Sequence, residues 1–245
     1  LREDGAGVCF SDVSTGEIHV TQFTGKHTED KVINEIARFL PSEILVSDSI
    51  EKYAKLREYL TRKVTVFAEN LPDDCFAYGK CIDIIKNQFP EDVIKRTEIE
   101  SKQYALGALG AAVDYLISVQ KSSLENINDF DCYNDEKYMT LNASARQHLE
   151  LTETQRRREK KGSLLWALDY TKTAMGKRLI RSWIEQPLVS VAHITSRLNA
   201  VEELFSDASL REELIADMQG INDIERIVTR IVYGTANAKE LRALS

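Results

Sequence analysis

Glycine and proline are both scarce, at 11 and 4 of 245 residues. Those residues punctuate turns, so their scarcity disfavours a loop-rich all-β fold and favours long helices. The four cysteines, Cys9, Cys75, Cys81 and Cys132, include no C-x-x-C pair. They are too few for a disulfide framework of this size, and a reduced cytoplasmic setting is expected. Apolar runs such as Val113 to Val119 are too short to span a bilayer, which needs about 20 apolar residues. No basic start with an apolar core opens the chain, so no secretion signal is read. The three methionines, Met139, Met175 and Met218, are all internal and the first residue is Leu1. A piece of a longer chain is expected.

Nucleotide and metal chemistry leave few traces. Gly25-Lys26, Gly79-Lys80 and Gly176-Lys177 are the Gly-Lys pairs. None is followed by Ser or Thr, and none has a glycine five residues earlier, so no P-loop is present. Gly5-x-Gly7 lacks the third glycine of a dinucleotide fingerprint and precedes a strand rather than following one. His19, His27, His148 and His193 are scattered, and Cys75 and Cys81 would point to different faces of a helix. Small buried hydrophobes are the better reading of those thiols.

What is present is an ordinary globular composition, 43% apolar and 29% charged, with a net charge of −7. The halves differ. Residues 1–100 hold 13 basic and 19 acidic side chains, against 19 and 20 in residues 101–245. Pro41, Pro72 and Pro90 fall in the first part, and only Pro187 beyond it.

The first part alternates strands and helices. Val8–Val13 and Glu17–Phe23 read as a hairpin about Ser14-Thr15-Gly16. Thr28 is placed to cap a helix with Val32, Ile33, Ile36, Ala37 and Leu40 on one face, ended by Pro41. Glu43–Val46 is a short strand, Ile50–Leu60 is amphipathic, and Val64–Phe67 is a further strand. Asp73 or Asp74 would open a helix carrying Ile82 and Ile85. The order β-β-α-β-α-β-α is that of a small α/β domain. Small residues then line a helix from Gln103 to Gln120, a composition that lets another element approach closely. A strand-like piece at 137–141 and helices at about 163–185, 191–206, 208–219 and 221–233 make the rest helical. The stripe Met175, Leu179, Trp183 is expected as core packing. The domains are drawn at 1–120 and 121–245.

Two features carry candidate chemistry. Asp12 on the first strand suggests a nuclease that would gather Glu35, Glu69 and Asp73 around two Mg²⁺ ions. The competing reading, which is favoured, is that Asp12 closes the turn through its own carboxylate. The run Arg156-Arg157-Arg158-Glu159-Lys160-Lys161 lies in a basic stretch, residues 146–183, with a net charge of +6. It reads as a solvated loop first and a phosphate contact second, without interleaved aromatics for stacking on single strands.

Longer strings resemble one family. Asp12-Val13-Ser14-Thr15-Gly16-Glu17 is similar to the hairpin that opens the connector domain of the MutS family of DNA mismatch-repair proteins. Gln103–Ala108 resembles the small-residue helix that leaves that domain. Leu141–Leu151 resembles the family's L-D-x-x-T-x-x-N-L-E-L, with Asn142, Ser144 and His148 departing from it. Gly162-Ser163-Leu164-Leu165-Trp166-x-Leu168-Asp169-x-Thr171, Thr173-x-Met175-Gly176-x-Arg178-Leu179 and Trp183-Ile184-x-Gln186-Pro187-Leu188 resemble the start of the family's core domain. Arg197–Leu204 and Asp223–Arg226 continue it. Phe67-Ala68-Glu69 and Phe89-Pro90-Glu91 match the F-x-E of the family's mismatch reader only by accident, since both lie inside the connector match.

The resemblance implies a ribonuclease-H-like α/β connector followed by an all-α core and lever portion. It implies a non-catalytic piece, with no catalytic, cofactor or metal residue assigned to it. ATP and Mg²⁺ would belong to the parent's ATPase domain, and mismatched duplex DNA would be held mostly by other parent domains. It further implies a MutL-type repair protein as partner and a homodimeric parent, and leaves the piece itself free to be monomeric. The alternatives are an independent Mg²⁺ nuclease using Asp12, and a helical adaptor whose loop at 156–161 docks an acidic partner.

Overall fold

The computed structural model describes residues 1–62, 67–120, 124, 127–133 and 138–244. They form two compact units, Leu1–Asn134 and Asp135–Ser245.

The first unit is α/β. Strands β1 (Gly5–Asp12) and β2 (Glu17–Thr24) form the expected antiparallel hairpin, with Asp12 opposite Glu17. Helix α1 (Thr28–Phe39) follows, then β3 (Glu43–Ser47), a 3-10 turn at Asp48–Lys52 and α2 (Ala54–Arg62). Strand β4 (Phe67–Leu71) pairs parallel with β3, Glu43 opposite Phe67. Of the strand expected at 64–67, residues 64–66 lie outside the described residues. After a 3-10 turn at Asp73–Phe76 come α3 (Tyr78–Gln88), α4 (Glu91–Thr97) and α5 (Gln103–Gln120). The short β5 (Asp131–Cys132) lies parallel beside β2, giving the sheet order β1-β2-β5. The β-β-α-β-α-β-α order read from the sequence is the order observed through α3.

Local chemistry sets the boundaries, sometimes differently from expectation. Thr28 does not cap α1. Its hydroxyl donates to the Gly25 carbonyl at 2.8 Å, and the cap position falls to His27 in the left-handed region. At the other end Leu40 turns left-handed at φ 47°, and its N–H still reaches the Ile36 carbonyl. Pro41 then has no N–H to continue the ladder. Asp73 and Asp74 open a 3-10 turn instead of the helix itself, which begins at Tyr78.

Two clusters hold the unit. One joins Ile18 and Val20 of β2 to Cys81, Ile85 and Phe89, and to Leu106, Leu109 and Val113 of α5. Leu124, Ile127 and Phe130 are buried in the same cluster, so the chain beyond residue 120 still belongs to this core. The other joins Ala6, Phe23, Val32, Ile36, Ile50 and Leu56. The small-residue helix approaches its neighbours as its composition suggested. A Cβ on Gly110 would lie 2.4 Å from the Cβ of Cys81 in α3, and one on Gly7 would lie 1.7 Å from the Tyr104 carbonyl oxygen.

The second unit is helical: α6 (Ala143–His148), α7 (Leu164–Leu168), α8 (Ala174–Glu185), α9 (Val191–Ser206), α10 (Ala208–Met218), α11 (Ile224–Val232) and α12 (Ala238–Arg242). The helix expected across 163–185 is two helices. Ser163 caps α7 by accepting from the Trp166 N–H, and Thr173 caps α8 by accepting from Gly176. Between them the Thr171 hydroxyl donates to Asp169 at 2.6 Å. Side chains that satisfy themselves locally compete with a continuous helix. The piece expected at 137–141 is reduced to one antiparallel bridge, Tyr138 with Leu188, with residue 137 outside the described residues. Leu151, Leu165 and Ile227 are buried. The Met175–Leu179–Trp183 stripe is not core here. Leu179 is 53% and Trp183 42% exposed, with the Arg197 guanidinium of α9 lying over the Trp183 ring. Among the described residues, no helix is long and apolar enough to cross a membrane.

Candidate functional site

Asp12 ends β1, and its carboxylate is committed to the turn. Oδ1 accepts from the Ser14 N–H at 2.8 Å and from the Ser14 hydroxyl at 2.6 Å. The Thr15 and Gly16 N–H groups donate to its carbonyl, and Gly16 takes the φ of 79° that closes the hairpin. This is the turn-starting role expected for Asp there.

The other acids considered with Asp12 are engaged elsewhere. Glu35 is buried on α1 against Tyr133 and Arg38. Glu69 on β4 and Glu43 on β3 both accept from the Tyr115 hydroxyl, at 3.2 and 2.6 Å. Asp73 accepts from the Ser49 N–H at 3.3 Å. Among the described residues, no group of three or more His, Cys, Asp or Glu is placed to hold a metal ion. Phe89 of the second F-x-E is core, edge-on to Phe130, and Glu91 pairs with Lys95. The Cys81 thiol is buried and donates to the Cys75 carbonyl at 3.2 Å; burial pushes its pKa up to about 11. All four cysteines are free thiols.

Sequence reasoning considered Glu35 only as a metal ligand and missed its network. Tyr133 donates to Glu35 Oε2 at 2.5 Å, and Arg38 donates to the same oxygen at 2.8 Å. The Arg38 guanidinium also lies 4.4 Å from the centre of the Phe39 ring and 5.0 Å from that of Tyr133. The Thr21 hydroxyl donates to the Tyr133 carbonyl. Burial, then the Glu35 carboxylate, drive the Tyr133 hydroxyl far above its ordinary range. The i, i+3 spacing of Glu35 and Arg38 was a visible signal. The third partner, 98 residues away, was not.

In the second unit Arg178 of α8 is clamped at the start of α11. It donates to both Asp223 oxygens, at 2.8 and 2.6 Å, and to Glu225. Hydrogen bonding to Arg178 holds the Asp223 carboxyl below its ordinary value. Arg197 of α9 stacks on Trp183 at 3.6 Å. The basic run 156–161 is exposed, on a loop between Leu151 and Ser163. Lys160 is tied to Asp169 at 2.6 Å, which with Thr171 lowers the Asp169 pKa.

The arrangement is therefore one of turns, clamps and packing contacts, with the chain's sequence strings as the remaining guide. The sequence model of MutS domain II matches residues 2–128, and that of MutS domain III matches residues 144–245. The chain belongs to the MutS family. It is 40% identical over 238 residues to the DNA mismatch repair protein MutS of Ruminiclostridium cellulolyticum, covering 97% of this chain and 27% of that protein. It is 39% identical over 244 residues to that of Clostridium perfringens, covering 100% and 26%. With that of Acetivibrio thermocellus it shares 37% over 235 residues, covering 96% and 27%. The chain thus spans about a quarter of the length of the MutS relatives it matches. The strings that resembled the family's connector and core lie within the domain II and III matches, apart from the first residues of the Leu141–Leu151 string.

Proposed function

We propose that this chain is the connector and first core segment of a mismatch-recognition ATPase. In that role it transmits between the DNA-reading and ATP-hydrolysing ends and offers a surface to a MutL-type repair protein. The observation that carries this is the consecutive match of two MutS domains over nearly the whole chain. The parent is a homodimer acting in the cytoplasm on mismatched duplex DNA, with ATP and Mg²⁺ bound outside these residues.

The first unit is a ribonuclease-H-like connector without that fold's chemistry. Its hairpin-led α/β order supports the fold assignment, and the use of Asp12 by its own turn supports the loss of function. Transmission requires stiff elements joined by specific contacts. The Arg178 clamp between α8 and α11 and the Arg197–Trp183 stack supply such contacts.

Two assays on the purified chain test the reading. With Mg²⁺ and ATP, equilibrium dialysis is expected to give no saturable nucleotide binding. With Mg²⁺ and duplex or hybrid substrates, no cleavage is expected beyond that of an Asp12→Asn control. Micromolar ATP binding, or cleavage that Asp12→Asn abolishes, would overturn it.

A further inference from the structure

The basic loop is more than a charged run, because its conformation is fixed from within. Its stems are joined by main-chain bonds: Leu164 N–H to the Glu150 carbonyl at 2.9 Å and Leu165 N–H to Leu151 at 2.8 Å. Across the loop the Thr154 N–H donates to the Glu159 carbonyl, and the Arg158 N–H to Thr154, both at 2.9 Å. Glu150 accepts from the Gln155 N–H at 2.7 Å, and Ser163, buried at the base, donates its hydroxyl to the Lys160 carbonyl at 2.7 Å. Arg158 and Gly162 take left-handed conformations, φ 53° and 97°, that turn the chain.

This scaffold uses up the loop's balancing groups unevenly. Asp169 is occupied by Lys160, and Glu150 by backbone. Arg156, Arg157, Arg158 and Lys161 are exposed and make no ion pair among the described residues. Glu153 and Glu159 are the acids left on the loop. Elsewhere many exposed basic side chains are paired, as Arg57 is with Glu51 and Arg62 with Glu58. The backbone that carries these three adjacent arginines is already held by hydrogen bonds, so binding would have to order their side chains but not the loop itself. Arginine's planar fork matches phosphate oxygens in pairs.

We propose that the loop of residues 152–162 is a sequence-independent contact for the phosphate backbone of duplex DNA, made by Arg156, Arg157, Arg158 and Lys161. This rests on the mismatch-repair reading, which puts duplex DNA beside the parent protein. Duplex DNA carries about one charge per 1.7 Å, a dense line of phosphates that releases condensed counterions when cations replace them.

The test is the salt dependence of binding by the 245-residue chain to a fully matched, labelled duplex. Each phosphate contact contributes about −0.9 to the slope of log K against log salt. The triple variant R156A/R157A/R158A should therefore lose about 3 from that slope. Equivalently, wild type weakens about 40-fold more than the variant between about 50 and 200 mM salt. Lys161→Ala alone should lose about 1. R57A/R62A, at exposed but paired positions, should change neither slope nor affinity. All these positions are exposed, and matching thermal unfolding curves check that the variants fold. An unchanged slope in the triple variant would overturn the proposal. So would polyglutamate of equal charge binding as tightly as DNA in a loop-dependent way, which would give the loop to an acidic protein. Either outcome leaves the ATP and nuclease assays, and the reading they test, unaffected.

Discussion

At the scale of single residues, Glu35 shows how one carboxylate can be read for the wrong chemistry. It was a candidate metal ligand because acids are common on this chain. In the fold it is a buried acceptor for Tyr133 and Arg38, whose side chains are almost as buried as its own. A charge in that position is tolerated because its partners are in place, and removing one leaves the other desolvated. Arg38→Met should lower the unfolding free energy by about 3–5 kcal/mol, the usual cost of orphaning a buried ion. Chemical denaturation followed by circular dichroism measures it; a loss below about 1 kcal/mol would mean that water reaches Glu35. Asp12 is the opposite case. The short range of its partners, two to four residues away, made its role in the turn legible from the sequence.

At the scale of elements, local signals were reliable and long-range ones were not. The hairpin, the end of α1 before Pro41 and the close-packing helix α5 all follow from residues within a few positions of one another. Gly110 carries the last of these: its missing Cβ is what lets α5 lie against Cys81 of α3. Gly110→Val should cost about 3 kcal/mol or more through forced separation of the two helices, read as a fall in the unfolding midpoint. No change would mean that the helices part freely. The division of 163–185 into α7 and α8 was missed because Ser163, Asp169, Thr171 and Thr173 satisfy their own backbone or one another, which periodicity does not register. The Arg178 clamp joins residues 45 positions apart, so only the resemblance pointed to both ends of it. Asp223 is held below its ordinary pKa, near 3.8, by that clamp. A depressed carboxyl stabilises the fold above its unfolded pKa, and the contribution fades as pH falls through the folded value. Wild type should therefore exceed Arg178→Met in stability by about 2 kcal/mol at neutral pH, with the gap closing below about pH 4. A gap independent of pH would mean that Arg178 acts through packing alone.

At the scale of the whole molecule, composition pointed in two directions. The net charge of −7 argued against a polyanion partner, yet the acid is concentrated in the first hundred residues and the basic excess in 146–183. The first unit has two well-formed clusters, whereas α8, α9 and α10 have no buried side chain. Amphipathic stripes such as Met175–Leu179–Trp183 show which face of a helix is apolar, but not what covers it. That is why the sequence read the stripe as core and the structure leaves it exposed. The fold class could be read from periodicity, while the role rests on family strings matched in order along the chain. The central claim is that this segment works by contact, as the docking surface of a mismatch-repair protein, and not by catalysis. Isothermal titration of the 245-residue chain with a purified MutL-type repair protein tests that most directly. The account predicts a saturable complex that forms without ATP; the absence of any complex, with both proteins folded, would contradict it.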